Sequence, residues 1–568
     1  MYALQSAKQE VLQALKGALG KGASPHIADL ESPRSPDFGD VSFPCFTLSK
    51  ILKRSPVELA TEIAAKIGAK GFIAKAEAKG PYVNFWLSHE ALAARVLKEI
   101  KTAKDKYGHS THGAGKRVLV EYANLNTHKE VHVGHLRNLS LGAAVVEILA
   151  AAGYEAIPVS YINDLGNNVA RCLWGYKKFY PDKKIEPATV NTFLGEVYTK
   201  ATRALEEDEA ARVEVSVVQR ELEEGKGEWA KLWKQTNKAS LAGLKVAFKD
   251  YGLRLEKIYL ESQNLKETKR IVQDLIKKGI AVHSEGAWVV RLEDEGLGVS
   301  ILVKTDGTHL YNAKDLALAA RKERDYHPDR SVIVLDVRQS LPMQQLFATL
   351  RLMGFQKEFI HLSFGHVSLP EGAMSSRKGN FIRYEDVMRQ MIDLATVETR
   401  TRHTNWKDKK INSVARKLAY GAVKFSMLRV DPDKPVVFDM KEALSFDGYH
   451  APYLFYTLAR CRGILDKQSK KMDHLSHVPK SSAEEELVRL LAHYPEVILE
   501  VAMDYQISRL TQFLFTLGQA FSRWYAEAPI LAEEDLKLRA RRLSVVEAVS
   551  QVMKNGVHLL GMEPLEEM

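Results

Sequence analysis

The chain has 568 residues, enough for about three or four domains of the usual ~150 residues and too many for one compact module. Apolar residues make up 45% and charged residues 27%, the balance of a packed globular protein, which excludes wholesale disorder. Lysine and arginine number 81 against 71 aspartates and glutamates, and the resulting +10 suits a polyanionic partner as well as a mildly basic enzyme.

The N-terminal stretch MYALQSAKQEVLQALKGALGKG carries Glu10 and an apolar stripe through Leu4, Val11, Leu12, Leu15 and Leu19, which predicts an amphipathic helix and no secretory leader. A turn-rich SPRSPDFGD tract, a helix over 56–67 and a short strand in YVNFWL follow, so residues 1 to about 110 read as a small α+β unit. The polar, glycine-rich KDKYGHSTHGAGK is expected to be a linker. From Arg117, buried strands alternate with amphipathic helices, the pattern of a mainly parallel sheet. RVLVEYA leads through a loop into a helix with Leu136, Leu139, Ala143 and Val146 on its apolar face; EAIPVSYI and a helical insertion to about residue 250 come next. EKIYL, AWVVRL, VSILVK, SVIVLDV and FIHLSFGHV complete the strands, with helices such as LPMQQLFATLRLMG between them. Residues 111–410 are thus expected to form a Rossmann-type α/β domain, and residues 411–568 an all-α bundle in which PDKPVVFDM is a loop. Cys45, Cys172 and Cys461 lie far apart and outside any CxxC or Cys/His cluster, so no protein-bound metal is assigned and a reducing, cytoplasmic setting is expected. No apolar run approaches the ~20 residues that span a bilayer, so no membrane role is expected.

Two short motifs carry chemistry. His132-Val133-Gly134-His135 falls where a loop after a buried strand enters a helix, at the carboxyl end of the sheet where open α/β folds bind ligands. The helix N-terminus attracts phosphate, two imidazoles can donate to phosphoryl oxygens, and Gly134 lets a flat base approach the backbone. Met374-Ser375-Ser376-Arg377-Lys378-Gly379-Asn380 is a loop of small and cationic residues suited to neutralise a triphosphate as pyrophosphate leaves. Either motif alone could be a chance match; one opening the first half of the sheet and the other ending the second half is far more specific.

With these motifs the sequence resembles the class I aminoacyl-tRNA synthetases, whose signatures are HIGH and KMSKS, and more closely the arginyl-tRNA synthetase family. The likeness is carried by EYANLNTHKEVHVGHLRNLSLG, YINDLGNN, TDGTHLYNAKDLA, VLDVRQS, DGYHAPYLFYTLAR and NGVHLLGMEP, with SPDFGDVSFP and GPYVNFWL at the N-terminal end. The resemblance implies an ATP-dependent ligase that joins L-arginine to tRNA(Arg), with Mg2+ accompanying ATP. An arginine pocket needs carboxylates and neutral acceptors for the planar guanidinium fork. By resemblance, Glu121, Asn126 and Gln339, with Asn124 beside them, position the amino acid's polar groups, while Tyr311 and Asp315 face the guanidinium. His132, Gly134, His135, Met374, Ser375, Ser376, Arg377 and Lys378 are expected to bind ATP.

There are departures from the family pattern. Ala373 stands where the first signature lysine usually sits, and Lys129 is expected to supply the missing cation. The chain ends in LEEM, without the arginine common before the final Met. For tRNA, Tyr82 and Asn84 on one strand and Tyr453, Tyr456 and Arg460 on one helix are the candidate contacts, in a protein expected to be a monomer. A catalytically dead tRNA-binding relative would have lost the ATP motifs, and a ligase for a small acceptor would lack both terminal units; this chain has both.

Overall fold

The computed structural model describes residues 1–19, 25–33, 35–186, 189–370, 382–468, 479 and 481–568. The N-terminal unit begins with helix α1 (Ala3–Leu19), which buries Val11, Leu12 and Leu15 of the expected stripe together with Ala7, while Leu4 and Leu19 are half-buried. It continues with β1 (Val41–Pro44), α2 (Phe46–Leu52), α3 (Pro56–Ala65), β2 (Ile73–Lys79) and β3 (Tyr82–Leu87). The strands form an antiparallel sheet in the order β1-β3-β2. Only β3 was foreseeable: β1 is short and ends in Pro44, and β2 (IAKAEAK), an edge strand exposed along much of its length, lacks the aromatic and β-branched signal.

After α4 (His89–Ala103), the expected linker is a packed seam. Tyr107 is 1% exposed, its hydroxyl donates to Leu491 O at 2.9 Å, and its ring stacks on Tyr494. Two of its three glycines serve close approach: a Cβ on Gly108 would come within 2.5 Å of the Ile498 side chain, and one on Gly113 would strike the Tyr154 ring, whereas Gly115 turns the chain at φ +77° in open space.

The central region runs β4 (Arg117–Glu121), α5 (Val133–Ala151), β5 (Glu155–Ile162), α6 (Asn167–Phe179), α7 (Val190–Glu207), α8 (Glu209–Glu224), α9 (Gly227–Asp250), β6 (Lys257–Leu260), α10 (Leu265–Lys277), β7 (Ala281–Ser284), β8 (Ala287–Leu292), β9 (Gly298–Val303), α11 (Tyr311–Tyr326), β10 (Arg330–Asp336), α12 (Ser340–Leu352) and β11 (Glu358–Phe364). Its parallel sheet has the order β11-β10-β4-β5-β6. The chain winds outward one way from β4 and the other way from β10, so the two neighbours flank the switch point, and a crevice opens at their carboxyl ends. AWVVRL and VSILVK are strands but not members of this sheet: β7, β8 and β9 form a separate antiparallel one. The reason is the two-residue Glu285-Gly286 turn, both residues at positive φ, which makes a hairpin and cannot make a parallel crossover.

The C-terminal part contains β12 (Val367–Ser368), α13 (Tyr384–Arg402), α14 (Asp408–Leu428), β13 (Val436–Val437), α15 (Met440–Ala443), α16 (Ala451–Asp466), α17 (Ser482–Asp504), α18 (Ile507–Glu527) and α19 (Leu536–Leu559). PDKPVVFDM is not merely a loop, since β13 pairs in parallel with β12. One apolar core runs from α5 through α14 and α16–α19, so the bundle and the sheet are packed as a unit. Arg137 on α5 is fully buried at this junction, and its guanidinium donates to the carbonyls of Met427, Val430, Asp431 and Pro432, the last three at 3.2, 2.7 and 3.2 Å. Among the described residues no helix is long and apolar enough to cross a membrane.

Candidate active site

The carboxyl ends of β4 and β10, the N-terminus of α5 and one face of α11 enclose a cavity of about 800 Å³. Glu121, Asn124, Asn126, His132, Gly134, His135, Tyr311, Asp315 and Gln339 all line it, although the sequence spreads them over more than two hundred positions. The loop after β4 holds its shape at a conformational cost, with Ala123 and His128 both in the left-handed region at φ +58° and +60°. Ala123 N donates to Asn138 Oδ1, while the His128 ring sits between the hydroxyls of Thr127 and Thr236. Asn124 donates to Glu121 Oε1 at 2.8 Å and accepts from Tyr161 N at 2.9 Å. It engages both ends of its amide within the protein and therefore orients Glu121.

At the start of α5 the two histidine rings stack with centroids 3.8 Å apart. The His132 backbone N–H donates to His135 Nδ1 at 3.1 Å, which leaves the proton of a neutral His135 on Nε2. Burial, reinforced by the neighbouring charge of Lys129, pushes His132 down to about 4 and His135 well below the usual imidazole range. Both rings are thus neutral hydrogen-bond donors. A Cβ on residue 134 would lie 3.0 Å from two atoms of the His132 ring, so any larger residue pushes that ring aside by a few tenths of an ångström.

Across the cavity, carboxylates and ammonium groups alternate. Glu121 is 4% exposed and ion-paired with Lys322; Glu261 is 6% exposed and ion-paired with Lys314. Asp315 has neither an ion-pair nor a hydrogen-bond partner among the described residues, and burial, then the neighbouring Glu121 charge, raise its carboxyl to about 8. Three acids face two ammonium groups, which leaves the pocket one cation short. Tyr311 stands one helical turn before Asp315 at the exposed mouth, and Gln339 lies on the rim opposite, at the start of α12. Lys314, Lys322 and Glu261 were missed from the sequence. The signal for Lys322 was present, since 311, 315 and 322 share one helical face.

Lys129 lines a second cavity of about 80 Å³ with His132 and His135, its Nζ 4.6 Å from the centre of the Tyr198 ring. Met374, Ser375, Ser376, Arg377 and Lys378 lie outside the described residues. The described chain on either side of them comes to the cavity: His366 and Val367 line it, and Tyr384 N donates to Val131 O while Val133 N donates to Ile382 O. Of the candidate RNA contacts, Tyr82 is half-buried, whereas Asn84 is 2% exposed and accepts from Ser42 Oγ at 2.7 Å. Tyr453 packs against Phe515 within the bundle; Tyr456 is exposed and accepts from Arg460, whose guanidinium lies over the Tyr456 and Tyr525 rings.

A switch-point cavity with paired histidines at a helix N-terminus, joined there by Ile382 and Tyr384, and a helical bundle sharing the core are the architecture of a class I aminoacyl-tRNA synthetase. Residues 96–440 match the family of tRNA synthetases class I (R), catalytic domain; residues 5–87 match the arginyl tRNA synthetase N terminal domain and residues 454–568 the DALR anticodon binding domain. The chain belongs to the arginyl-tRNA synthetase family. It is 34% identical to the arginine–tRNA ligase of Bdellovibrio bacteriovorus over 98% of both chains. It is 32% identical to that of Clostridium botulinum strain Loch Maree over 95% of this chain and 96% of the other. The arginyl-tRNA synthetase structure from Thermus thermophilus superposes with a TM-score of 0.81 at 26% identity, covering 99% of this chain and all of the other.

Proposed function

We propose that the switch-point cavity is where arginine is activated, with its guanidinium on Asp315 and Tyr311 and the reacting phosphate at His132 and His135. The chain is an arginine–tRNA ligase: it uses ATP to charge tRNA(Arg) with arginine. The arginine carboxylate attacks the α-phosphorus of ATP in line, a P–O bond forms and pyrophosphate leaves. A hydroxyl of the tRNA's terminal ribose then attacks the arginyl carbonyl, AMP leaves and the hydroxyl proton is released. No enzyme nucleophile is needed; positioning and charge stabilisation suffice.

Neutral His132 and His135 donate to the oxygens of the transferred phosphoryl centre beside the α5 N-terminus. Gly134 keeps the approach open, and Met374 and Arg377 border the nucleotide. Lys129, Ser375, Ser376 and Lys378 hold the β and γ groups, with Mg2+ arriving as part of the nucleotide substrate. Glu121, held by Asn124 and Lys322, acts with Asn126 and Gln339 on the amino acid's own ammonium and carboxylate. Residues 1–110 contact tRNA through Tyr82, residues 111–410 carry the chemistry, and residues 411–568 bind the anticodon side, where Tyr456 and Arg460 present the accessible face. Asn84, buried against Ser42, supports the strand that carries Tyr82. The protein works as a monomer in the cytoplasm.

The observation that carries this reading is the unpaired Asp315 carboxyl, which makes the pocket complementary to one extra cation. Lys129→Ala is expected to abolish arginine-dependent ATP–pyrophosphate exchange while leaving the circular dichroism spectrum unchanged; near-normal exchange contradicts the assignment of Lys129. Exchange is also expected to require tRNA, and a full rate without it contradicts that expectation.

A further inference from the structure

Lys129 presents an ammonium group in the cleft that, among the described residues, pairs with no carboxylate. It lies over the face of Tyr198, 4.6 Å from the ring centre on α7. Tyr198 is itself anchored, its hydroxyl donating to Asn168 Oδ1 on α6 at 3.2 Å. The backbone leading into Lys129 is held from the same insertion. His128, at φ +60°, places its Nε2 2.7 Å from Thr236 Oγ1 and donates its N–H to Ser240 Oγ at 3.2 Å, both on α9. The next residue is fitted to α7 as well. Gly195 carries no Cβ, and one there would come within 2.0 Å of Glu130 Cγ; the adjacent Glu196 binds Arg383, which also pairs with Glu130 at 3.0 Å. α7 thus touches Lys129, Glu130 and Arg383.

We propose that Tyr198 is a positioning residue for ATP activation, holding the Lys129 ammonium toward the triphosphate through the face of its ring. A carboxylate in that place would fix the ammonium equally well, but it would neutralise the charge and compete with phosphate. An aromatic face attracts the cation through its quadrupole and leaves the N–H donors to the nucleotide. The inference rests on the reading of Lys129 as the phosphate-binding cation, and it assigns part of the α7–α9 insertion to preorganising that lysine.

The test uses the full-length enzyme, with ATP affinity measured by calorimetry and ATP and arginine KM values measured by pyrophosphate exchange in the presence of tRNA. Tyr198→Phe, which keeps the ring, is expected to stay near wild type. Tyr198→Leu is expected to weaken ATP about 5- to 30-fold, the range of a partly desolvated cation–π contact, with the arginine KM unchanged. In the Lys129→Ala background, Tyr198→Leu is expected to cost nothing more in ATP affinity. An equal cost in both backgrounds, or a Phe variant as damaged as the Leu variant, overturns the proposal. Should Tyr198→Leu fail to fold, progressively ring-fluorinated phenylalanines at 198 keep the shape while weakening the quadrupole. ATP affinity is then expected to fall stepwise, and a flat series overturns the proposal. If Lys129→Ala leaves ATP affinity intact, the reading of Lys129 falls and the inference with it. If Lys129→Ala weakens ATP but Tyr198→Leu does not, only the role of Tyr198 falls.

Discussion

Arginine binding should be coupled to the ionisation of Asp315. Its carboxyl is pushed up to about 8, first by burial and next by Glu121, with Lys322 opposing. A guanidinium engages the carboxylate and not the acid, so the apparent affinity scales with the ionised fraction, roughly 1% at pH 6 and half at pH 8 by the titration relation. Arginine should therefore bind about 50-fold more tightly at pH 8 than at pH 6, an effect of about 2.3 kcal/mol, and release about 0.9 proton at pH 7. Because folding raises the pKa of this acid above its unfolded value, the empty enzyme loses stability as pH rises from about 4 through 8. Bound arginine restores that stability, so its thermal stabilisation grows over the same interval. Asp315→Asn removes the pH dependence and weakens arginine about 10²- to 10³-fold at pH 8, the loss of a charge-assisted, partly desolvated pair. Calorimetric titrations from pH 6 to 8 in buffers of different ionisation enthalpy measure both affinity and proton release. A constant affinity without proton release, or a pH dependence surviving in Asp315→Asn, would refute the reasoning.

Gly134→Ala should lower the exchange rate about 10-fold without unfolding the protein, because the new methyl displaces the His132 ring by a few tenths of an ångström; steady-state kinetics and circular dichroism check it. Arg137→Met should destabilise the chain by about 3–5 kcal/mol, since several carbonyls of the turn after α14 lose their donor in a buried setting. A urea midpoint equal to that of wild type contradicts this. With His132 at about 4 and His135 held by burial well below the usual imidazole range, both rings stay neutral, so ATP binding should show no transition near pH 6.5. Imidazole proton shifts followed by NMR from pH 5 to 7.5 measure this directly, and a titration centred near 6.5 contradicts it.

The helix start that lines the cavity was legible in the sequence because its residues are contiguous and their spacing is tied to one turn: HVGH is both a motif and the opening of α5. The amino-acid end was legible only in part. Tyr311 and Asp315 sit one turn apart on α11, but the charge balance that defines the pocket also needs Lys314, Lys322 and Glu261. These read as ordinary surface charges until the fold pairs Lys322 with Glu121 and Lys314 with Glu261 around one cavity. Asn84 and Tyr453 show the opposite difficulty, since a side chain drawn into packing reads the same as one facing solvent. The glycines of residues 104–116 resembled a flexible connector, yet Gly108 and Gly113 are what a tightly packed seam requires, and composition cannot tell the two apart. The β7–β9 sheet was the avoidable error, because Glu285-Gly286 between two strands allows only an antiparallel return.

The central claim is specificity for an amino acid bearing one delocalised cation. Its most direct test is ATP- and tRNA(Arg)-dependent aminoacylation by the purified chain across a panel that includes arginine, lysine, citrulline and valine. Arginine alone should be charged: citrulline keeps the shape without the charge, and lysine keeps the charge without the planar fork. Charging of citrulline, lysine or valine at a rate comparable to arginine would contradict the account.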